Sequence, residues 1–377
     1  ILEGKGGFDD YVEENKYWIG NYALFHTLRD HFKAKAWWQW PDEYKNRNPQ
    51  VLEKFTSEYK KEITFYQWLQ WMYFQRWQKV RQSARQRGKR IIGDLPIYPA
   101  ANSSEVWALR DLFDTEKSAG VRPDWNCKEG HSFGSHPYRW RDNYEKVLEF
   151  WFERIRYSAK FFDGARIDHL PGFIGEWLIE KGKKAADGAF YPANEDERVS
   201  LGRKILTSLA KAALEEGIVL IGEDLGECTS EVRKMLDELS EQLPNLFLYN
   251  VVGWREKGMA NKLHTLVVEA IHDTPSTFIT RWPELSYSDK EQVKGFLSDY
   301  GYAIQQGEDP ESIAVKVIAA MKKCQNLFYS LTLQTVEHWV DDSRINIPGT
   351  VGPHNWTWRM PVTIESLIER ENLNSAR

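Results

Sequence analysis

The chain has 377 residues, with 50 Lys and Arg against 55 Asp and Glu and a formal charge of -5; the two signs are interspersed, which argues against nucleic acid or another polyanion as a partner. No apolar run approaches the roughly 18 residues that cross a bilayer, and the N-terminus lacks a basic-then-apolar leader, so no membrane association is expected. Three scattered cysteines, Cys127, Cys228 and Cys324, form neither a disulfide framework nor a zinc motif and fit a reducing, cytoplasmic setting.

By length the chain makes two domains or one large barrel. It opens at Ile1 without a methionine, as a processed, truncated or partly recorded product does. Residues 8 to 36 read helical, with Phe8, Tyr11, Val12, Trp18, Tyr22, Phe25, Leu28 and Phe32 at loosely helical spacing, and a polar, Pro-marked break follows from Trp37 to Pro49. Ile63, Tyr66, Trp68, Leu69, Met72, Phe74, Trp77 and Val80 then keep an i, i+3, i+4 rhythm that ends at Gly88, the pattern of a long amphipathic helix with a glycine stop.

From Gly88 a cycle recurs: helix, Gly, short strand, acidic residue. Arg90 to Gly93 leads to Asp94, Ala165 to Ile167 to Asp168, Ile218 to Gly222 to Glu223, and Thr265 to His272 to Asp273. Between them, apolar stripes mark helices through Val147, Leu148, Trp151 and Ile155, and through Val199, Ile205, Leu206, Leu209, Ala213 and Leu214; Thr229 caps another through Val232, Met235, Leu236 and Leu239. Leu327 to Leu333 reads as the last strand. Strands alternating with helices predict parallel βαβ units, and acidic residues at several strand ends match a closed barrel, whose active site lies at the C-terminal ends of its strands.

The densest of these strand ends is Arg166-Ile167-Asp168-His169. Residues two apart on a strand share a face, so Arg166 is placed to hold Asp168 ionised and aimed, as a carboxylate nucleophile requires. Taken singly, each position has a plainer reading. Asp168 would end a strand and cap the next turn, Glu223 would cap the helix at Thr229, Asp94 would bond local amides, and Tyr98 would line a wall. His272 and Asp273 suggest a metal site or a His-Asp hydrolase pair, but neither a third ligand at workable spacing nor a nucleophile elbow accompanies them. Trp356 and Trp358 read as packing residues.

Together the motifs resemble one family. The matching stretches are Phe8 to Trp40, Ile91 to Tyr98 (IIGDLPIY) with Ser104 to Ala108, Gly164 to Phe173 (GARIDHLPGF), Ile221 to Gly226 (IGEDLG), His272-Asp273-Thr274, and Arg344 to Arg359 (RINIPGTVGPHNWTWR). In this order they are similar to the amylomaltases, the 4-alpha-glucanotransferases of glycoside hydrolase family 77 in the alpha-amylase clan. The resemblance implies an α/β fold, a (β/α)8 TIM barrel with helical insertions. Residues 1–87 would form a mainly helical insertion segment, and 88–377 the catalytic barrel from about its third strand onward. The family's leading segment, which supplies the first two strands, has no counterpart before Ile1, so an N-terminal segment or a second chain is expected to complete the barrel.

The resemblance also implies roles. Asp168 would be the nucleophile, Glu223 the acid/base and Asp273 the third carboxylate, which grips sugar hydroxyls. Arg166, His272, Asp94, Tyr98, Phe133 and Asn346 would be substrate-binding residues. In the loop Gly130 to Trp140, the family's Trp-Gly-x-Pro reads Phe133-Gly134-Ser135-His136; stacking on a sugar persists with Phe, but the indole donor is gone. The expected partners are α-1,4-glucans and maltooligosaccharides, with glucose as acceptor, and neither cofactor nor metal is implied. An α-glucan hydrolase on the same fold and an inactive glucan-binding remnant are the competing readings.

Overall fold

The computed structural model describes residues 7–123, 128–225, 228–253, 263–339, 343–347, 350 and 352–369. The chain forms two compact units, Ile1–Leu220 with Glu227–Met235, and Ile221–Gly226 with Leu236–Arg377.

In the first unit, the helical stretch 8 to 36 holds two helices, Phe8–Glu14 and Ile19–His31. The expected break contains the short helix Asp42–Lys45, and Asn48 then caps the helix Pro49–Glu58 by accepting from the amides of Gln50 and Val51. Much of the aromatic content is spent on packing here. Phe25, Trp40 and Trp107 meet at 5.4 to 5.9 Å between ring centroids, and the Arg47 guanidinium lies 4.2 Å over Trp107.

The long helix falls where its rhythm predicted, at Lys60–Gln86, and Gly88 leaves it at φ 68°. Its inner face clamps the end of the helix Trp140–Ala159. Trp77 Nε1 donates to Phe161 O at 2.9 Å, Gln78 to Lys160 O at 2.7 Å, and Arg81 to Ala159 O and Phe162 O at 2.7 and 2.8 Å. Asp163 accepts from Arg85 Nε at 2.9 Å and from the Ile91 amide at 3.0 Å. The start of the next strand is thereby tied to the helix that precedes it.

That strand, β1 (Ile92–Leu95), includes Asp94 rather than ending before it. The remaining strands of this unit are β2 (Lys117–Val121), β3 (His131–Ser132), β4 (Gly164–Ile167), β5 (Glu176–Glu180) and β6 (Ala189–Tyr191), and β7 (Val219–Gly222) comes after them. β1 pairs with β4 in parallel, Asp94 opposite Arg166, and the order within this unit runs β1-β4-β7. The helices Trp140–Ala159 and Glu195–Glu215 carry the stripes read from the sequence, except that Leu214 faces solvent at the helix end and Val199 is half-buried, and Trp151 meets Phe173 edge-on at 4.8 Å. An antiparallel sheet in the order β3-β2-β5-β6 was not anticipated. Its strands are short and partly polar, so they carry little hydrophobic alternation.

β7 belongs to both units, with Val219–Leu220 in the first and Ile221–Gly222 in the second. The second unit continues with β8 (Leu246–Val251), β9 (Thr265–Val268) and β10 (Phe328–Ser330) in the order β7-β8-β9-β10. The last three are paired in parallel, Val251 opposite Val268 and Ser330 opposite Val268 on its other side. Helices Phe278–Glu284, Tyr287–Asp299 and Pro310–Lys323 pack Phe278, Val293, Leu297, Ile313, Val317 and Met321 against Val267.

Two strand ends differ from expectation for one reason. β9 stops at Val268 instead of reaching His272, and β10 stops at Ser330 while Leu333 opens a helix. The buried Glu269 carboxylate accepts from the Thr332 amide at 2.8 Å and hydroxyl at 3.1 Å, and Arg281 donates to Glu269 O at 2.6 Å. These bonds take over from the sheet ladder.

Candidate active site

Alternation along β4 turns Arg166 and Asp168 to one face, and the parallel register sets Asp94 beside them. Arg166 Nη1 donates to both Asp94 oxygens at 2.8 and 2.9 Å, while Nη2 donates to Asp168 Oδ1 at 2.8 Å. One planar guanidinium therefore orients two carboxylates, a task its forked donors suit. Asp94, instead of bonding local amides, is Arg166's second anchor. The Arg166 side chain is only 12% exposed, whereas Asp168 is 42% exposed and open to a ligand.

The turn after Asp168 is held from below. The Asp168 amide donates to Leu95 O at 3.1 Å, and His169 takes a left-handed conformation (φ 50°, ψ 54°) that starts the tight turn Leu170–Phe173. Burial pushes the His169 imidazole down to about 4, against the opposing pull of Asp168, so the ring is neutral near pH 7. Phe133 packs edge-on to His169 at 5.2 Å and tilted to Tyr98 at 6.2 Å. Tyr98 itself is buried, its ring 5.5 Å from Tyr138 and its hydroxyl facing Glu176, so it stands behind Phe133 as a supporting ring.

In the second unit, Glu223 leaves the end of β7 with a buried side chain. The neighbouring Asp224 is fully buried and accepts from the Tyr249 amide at 3.2 Å, anchoring the motif to β8. Asp273 is gathered by three residues. His272 Nε2 lies 3.4 Å from Asp273 Oδ1, Asn346 Nδ2 donates to the same oxygen at 2.6 Å, and Arg344 Nη2 donates to Asp273 O at 3.1 Å. Arg344 Nε also holds Asn346 O at 3.0 Å, and the Asn346 amide donates to His272 O at 3.2 Å. Trp356 lies 5.3 Å from His272, ring to ring, and is 62% exposed as a residue, whereas Trp358 packs against Trp339 at 5.8 Å.

The structure thus joins Asp94, Arg166 and Asp168 in the first unit, and His272, Asp273 and Asn346 in the second. Sequence reasoning did not single out Arg344, Asp224 or Glu176. Arg344 and Asp224 lie inside recognised motifs, and the signal was there in a second charged residue beside each assigned one. Among the described residues no group of three or more His, Cys, Asp or Glu is arranged to hold a metal ion. No helix among them is long and apolar enough to cross a membrane.

Comparison with known proteins agrees over nearly the full chain. The family model described as 4-alpha-glucanotransferase matches residues 3–364. The 4-alpha-glucanotransferase of Aquifex aeolicus is 27% identical over 361 residues, covering 93% of this chain and 70% of the relative. That of Synechocystis is 28% identical over 366 residues, covering 93% and 68%. Among solved structures, the amylomaltase of Streptococcus agalactiae in complex with acarbose superposes with a TM-score of 0.80 at 24% identity, over 98% of this chain and 72% of that one. The parallel α/β fold read from the sequence is therefore the amylomaltase fold.

Proposed function

We infer the reaction from one premise: the chain belongs to glycoside hydrolase family 77, the 4-alpha-glucanotransferases, and it moves α-1,4-glucan segments between maltooligosaccharides, with glucose among the acceptors. The observation that carries the mechanism is the bond from Arg166 to Asp168, which holds an exposed carboxylate aimed at a strand end.

Asp168 attacks the anomeric carbon of the donor, and the bond from that carbon to the leaving O4 breaks as Glu223 gives O4 its proton. The glucosyl ester on Asp168 is then attacked by the O4 of an acceptor, which yields its proton to Glu223. Asp168 leaves, and the α-configuration is restored. Asp273, steadied by Asn346 and His272, grips hydroxyls of the reacting ring, where hydrogen bonds strengthen in the oxocarbenium-like transition state. Arg166 and Asp94 set the nucleophile, and Phe133 offers a ring face for stacking.

The outer edge of β1 has no strand beside it among the described residues, and Ile92 is exposed there. Phe65, Trp68 and Tyr73 are exposed on the helix Lys60–Gln86. An unpaired parallel edge with apolar surface in the same unit supports a further strand-bearing segment, or a second chain, completing the barrel. The thiol of Cys324 is free, which supports a reducing, cytoplasmic setting.

The test is incubation of purified protein with maltotriose alone, products being resolved by anion-exchange chromatography over time. A ladder of longer maltooligosaccharides with glucose is expected. Glucose and maltose without a ladder would make the protein a hydrolase, and an unchanged substrate would leave glucan binding as its activity.

A further inference from the structure

Glu176 opens β5 with a side chain that the double displacement does not use, and it is 3% exposed. Its Oε1 accepts from the Tyr138 amide at 3.0 Å, and the Tyr98 hydroxyl faces the same carboxyl. Tyr138, whose own hydroxyl donates to Ile97 O at 2.7 Å, stacks its ring on Tyr98. Over the Tyr98 hydroxyl runs the turn that comes after Asp168. A Cβ on Gly172 would lie 3.2 Å from that oxygen, 3.2 Å from His169 Cδ2 and 2.6 Å from Ile97 Cδ1, so main chain rests directly on Tyr98. The Gly172 amide in turn donates to His169 O at 3.0 Å. A continuous path of contacts therefore runs from Glu176 through Tyr98 to the His169 turn and the residue before it, Asp168.

We propose that Glu176, as a neutral carboxylic acid, is a positioning residue for the nucleophile: it fixes Tyr98, which seats the turn that carries Asp168. The inference rests on the reading of Asp168 as nucleophile. The carboxyl is sealed from water with no cation in this set to offset a charge, so burial disfavours its anion. Burial pushes Glu176 up to about 8, with Asp114 adding to the rise, against the opposing pull of Tyr138 and Tyr98. The groups that face it are Tyr98 and Tyr138, both raised by burial, and Asp114; Arg154 reaches Tyr138 from the helix Trp140–Ala159. Tyr98 and Tyr138, raised by burial, keep their protons near pH 8, and His169 is already neutral there. Ionisation of Glu176 near that pH places a charge under the turn.

The experiment compares wild type, Glu176→Gln and Glu176→Ala in maltotriose disproportionation from pH 6 to 9.5, with thermal unfolding of each across pH 4.5 to 9. Glutamine keeps the shape and an acceptor for the Tyr138 amide but does not ionise. It is expected to stay within about twofold of wild-type kcat at pH 6.5, and the ratio of its rate to wild type is expected to rise severalfold through pH 8. Alanine is expected to lower kcat about tenfold with a smaller change in KM, because the turn loses its support.

In unfolding, a carboxyl with a raised folded pKa stabilises below its unfolded value, and that stability is lost as pH rises through the folded one. Wild type is therefore expected to lose stability between pH 4.5 and 8 relative to Glu176→Gln. A pH-independent rate ratio in active enzyme would overturn the proposal, as would parallel unfolding curves. If alanine does not fold, the glutamine ratio alone decides. Wild type that shows no turnover but diverges from Glu176→Gln in its unfolding curve would sink the reading of Asp168, and the positioning role with it, while leaving Glu176 a buried acid.

Discussion

Arg166 lies opposite Asp94 in the parallel pairing of β4 with β1, and a single guanidinium nitrogen reaches both oxygens of that carboxylate. The second nitrogen is thereby pointed along its own strand to Asp168 at 2.8 Å. Asp94 fixes the plane of the guanidinium, and the plane fixes Asp168. Arg166→Lys, which keeps the charge but loses the fork, is expected to lower kcat roughly 100-fold with little change in fold. Asp94→Asn is expected to cost about tenfold. Steady-state rates on maltotriose with circular dichroism check both, and a lysine variant of full activity would show that charge alone suffices.

Asp168→Asn is expected to lower turnover by on the order of a thousandfold or more while glucan binding, read by calorimetry with maltooligosaccharides, is largely kept. Glu223→Gln is expected to lose turnover on ordinary glucans but to form the glycosyl-enzyme from an α-glucosyl fluoride, whose leaving group needs no proton. Intact-mass spectrometry reads that adduct. Its absence with every donor would make Glu223 a structural residue.

Asn346→Ala removes the 2.6 Å donor from Asp273. A hydrogen bond to a charged group is worth about 1.5 to 3 kcal/mol, so a loss of about 10- to 100-fold in kcat/KM is expected. Arg344→Met, which frees both Asp273 O and Asn346 O, is expected to match or exceed it. Wild-type kinetics in Asn346→Ala would leave the orientation of Asp273 to His272 and Arg344.

Asp163 ties β1 to the long helix, and its carboxyl sits below the usual range. Burial opposes that shift, but the Ile91 amide and the guanidiniums of Arg85 and Arg81 outweigh it. A lowered carboxylate contributes stability that is present above its unfolded pKa and lost as pH falls through its folded one. Asp163→Asn is therefore expected to destabilise by about 3 kcal/mol near pH 7. The gap to wild type in urea unfolding is expected to shrink below about pH 4. A constant gap down to pH 3 would mean that charge plays no part.

Local pattern carried much of this protein. The spacing of Ile63 to Val80 fixes a helix because 3.6 residues make a turn, and Gly88 ends it because only glycine enters φ 68° without cost. Arg166 and Asp168 share a face because a strand alternates, and their bond follows from two residues of spacing. His272 and Asp273 are neighbours in sequence, so their pairing also was open to inspection.

Other relationships join segments far apart in the chain, which no local periodicity encodes. Asp94 reaches Arg166 only through the register of two strands 72 residues apart. Asn346 reaches Asp273 across 73 residues, through a segment with little regular structure. Glu176 becomes a buried acid because short antiparallel strands, too polar to announce themselves, fold it against Tyr98 and Tyr138. By itself the sequence determined the helices, the alternation of strands with them and the residue types at the strand ends, since these depend on bonds between near neighbours. The tertiary structure decided which carboxylate shares a guanidinium, which one is gathered by an amide and which is sealed from water, because register, burial and the local dielectric exist only once distant segments have packed.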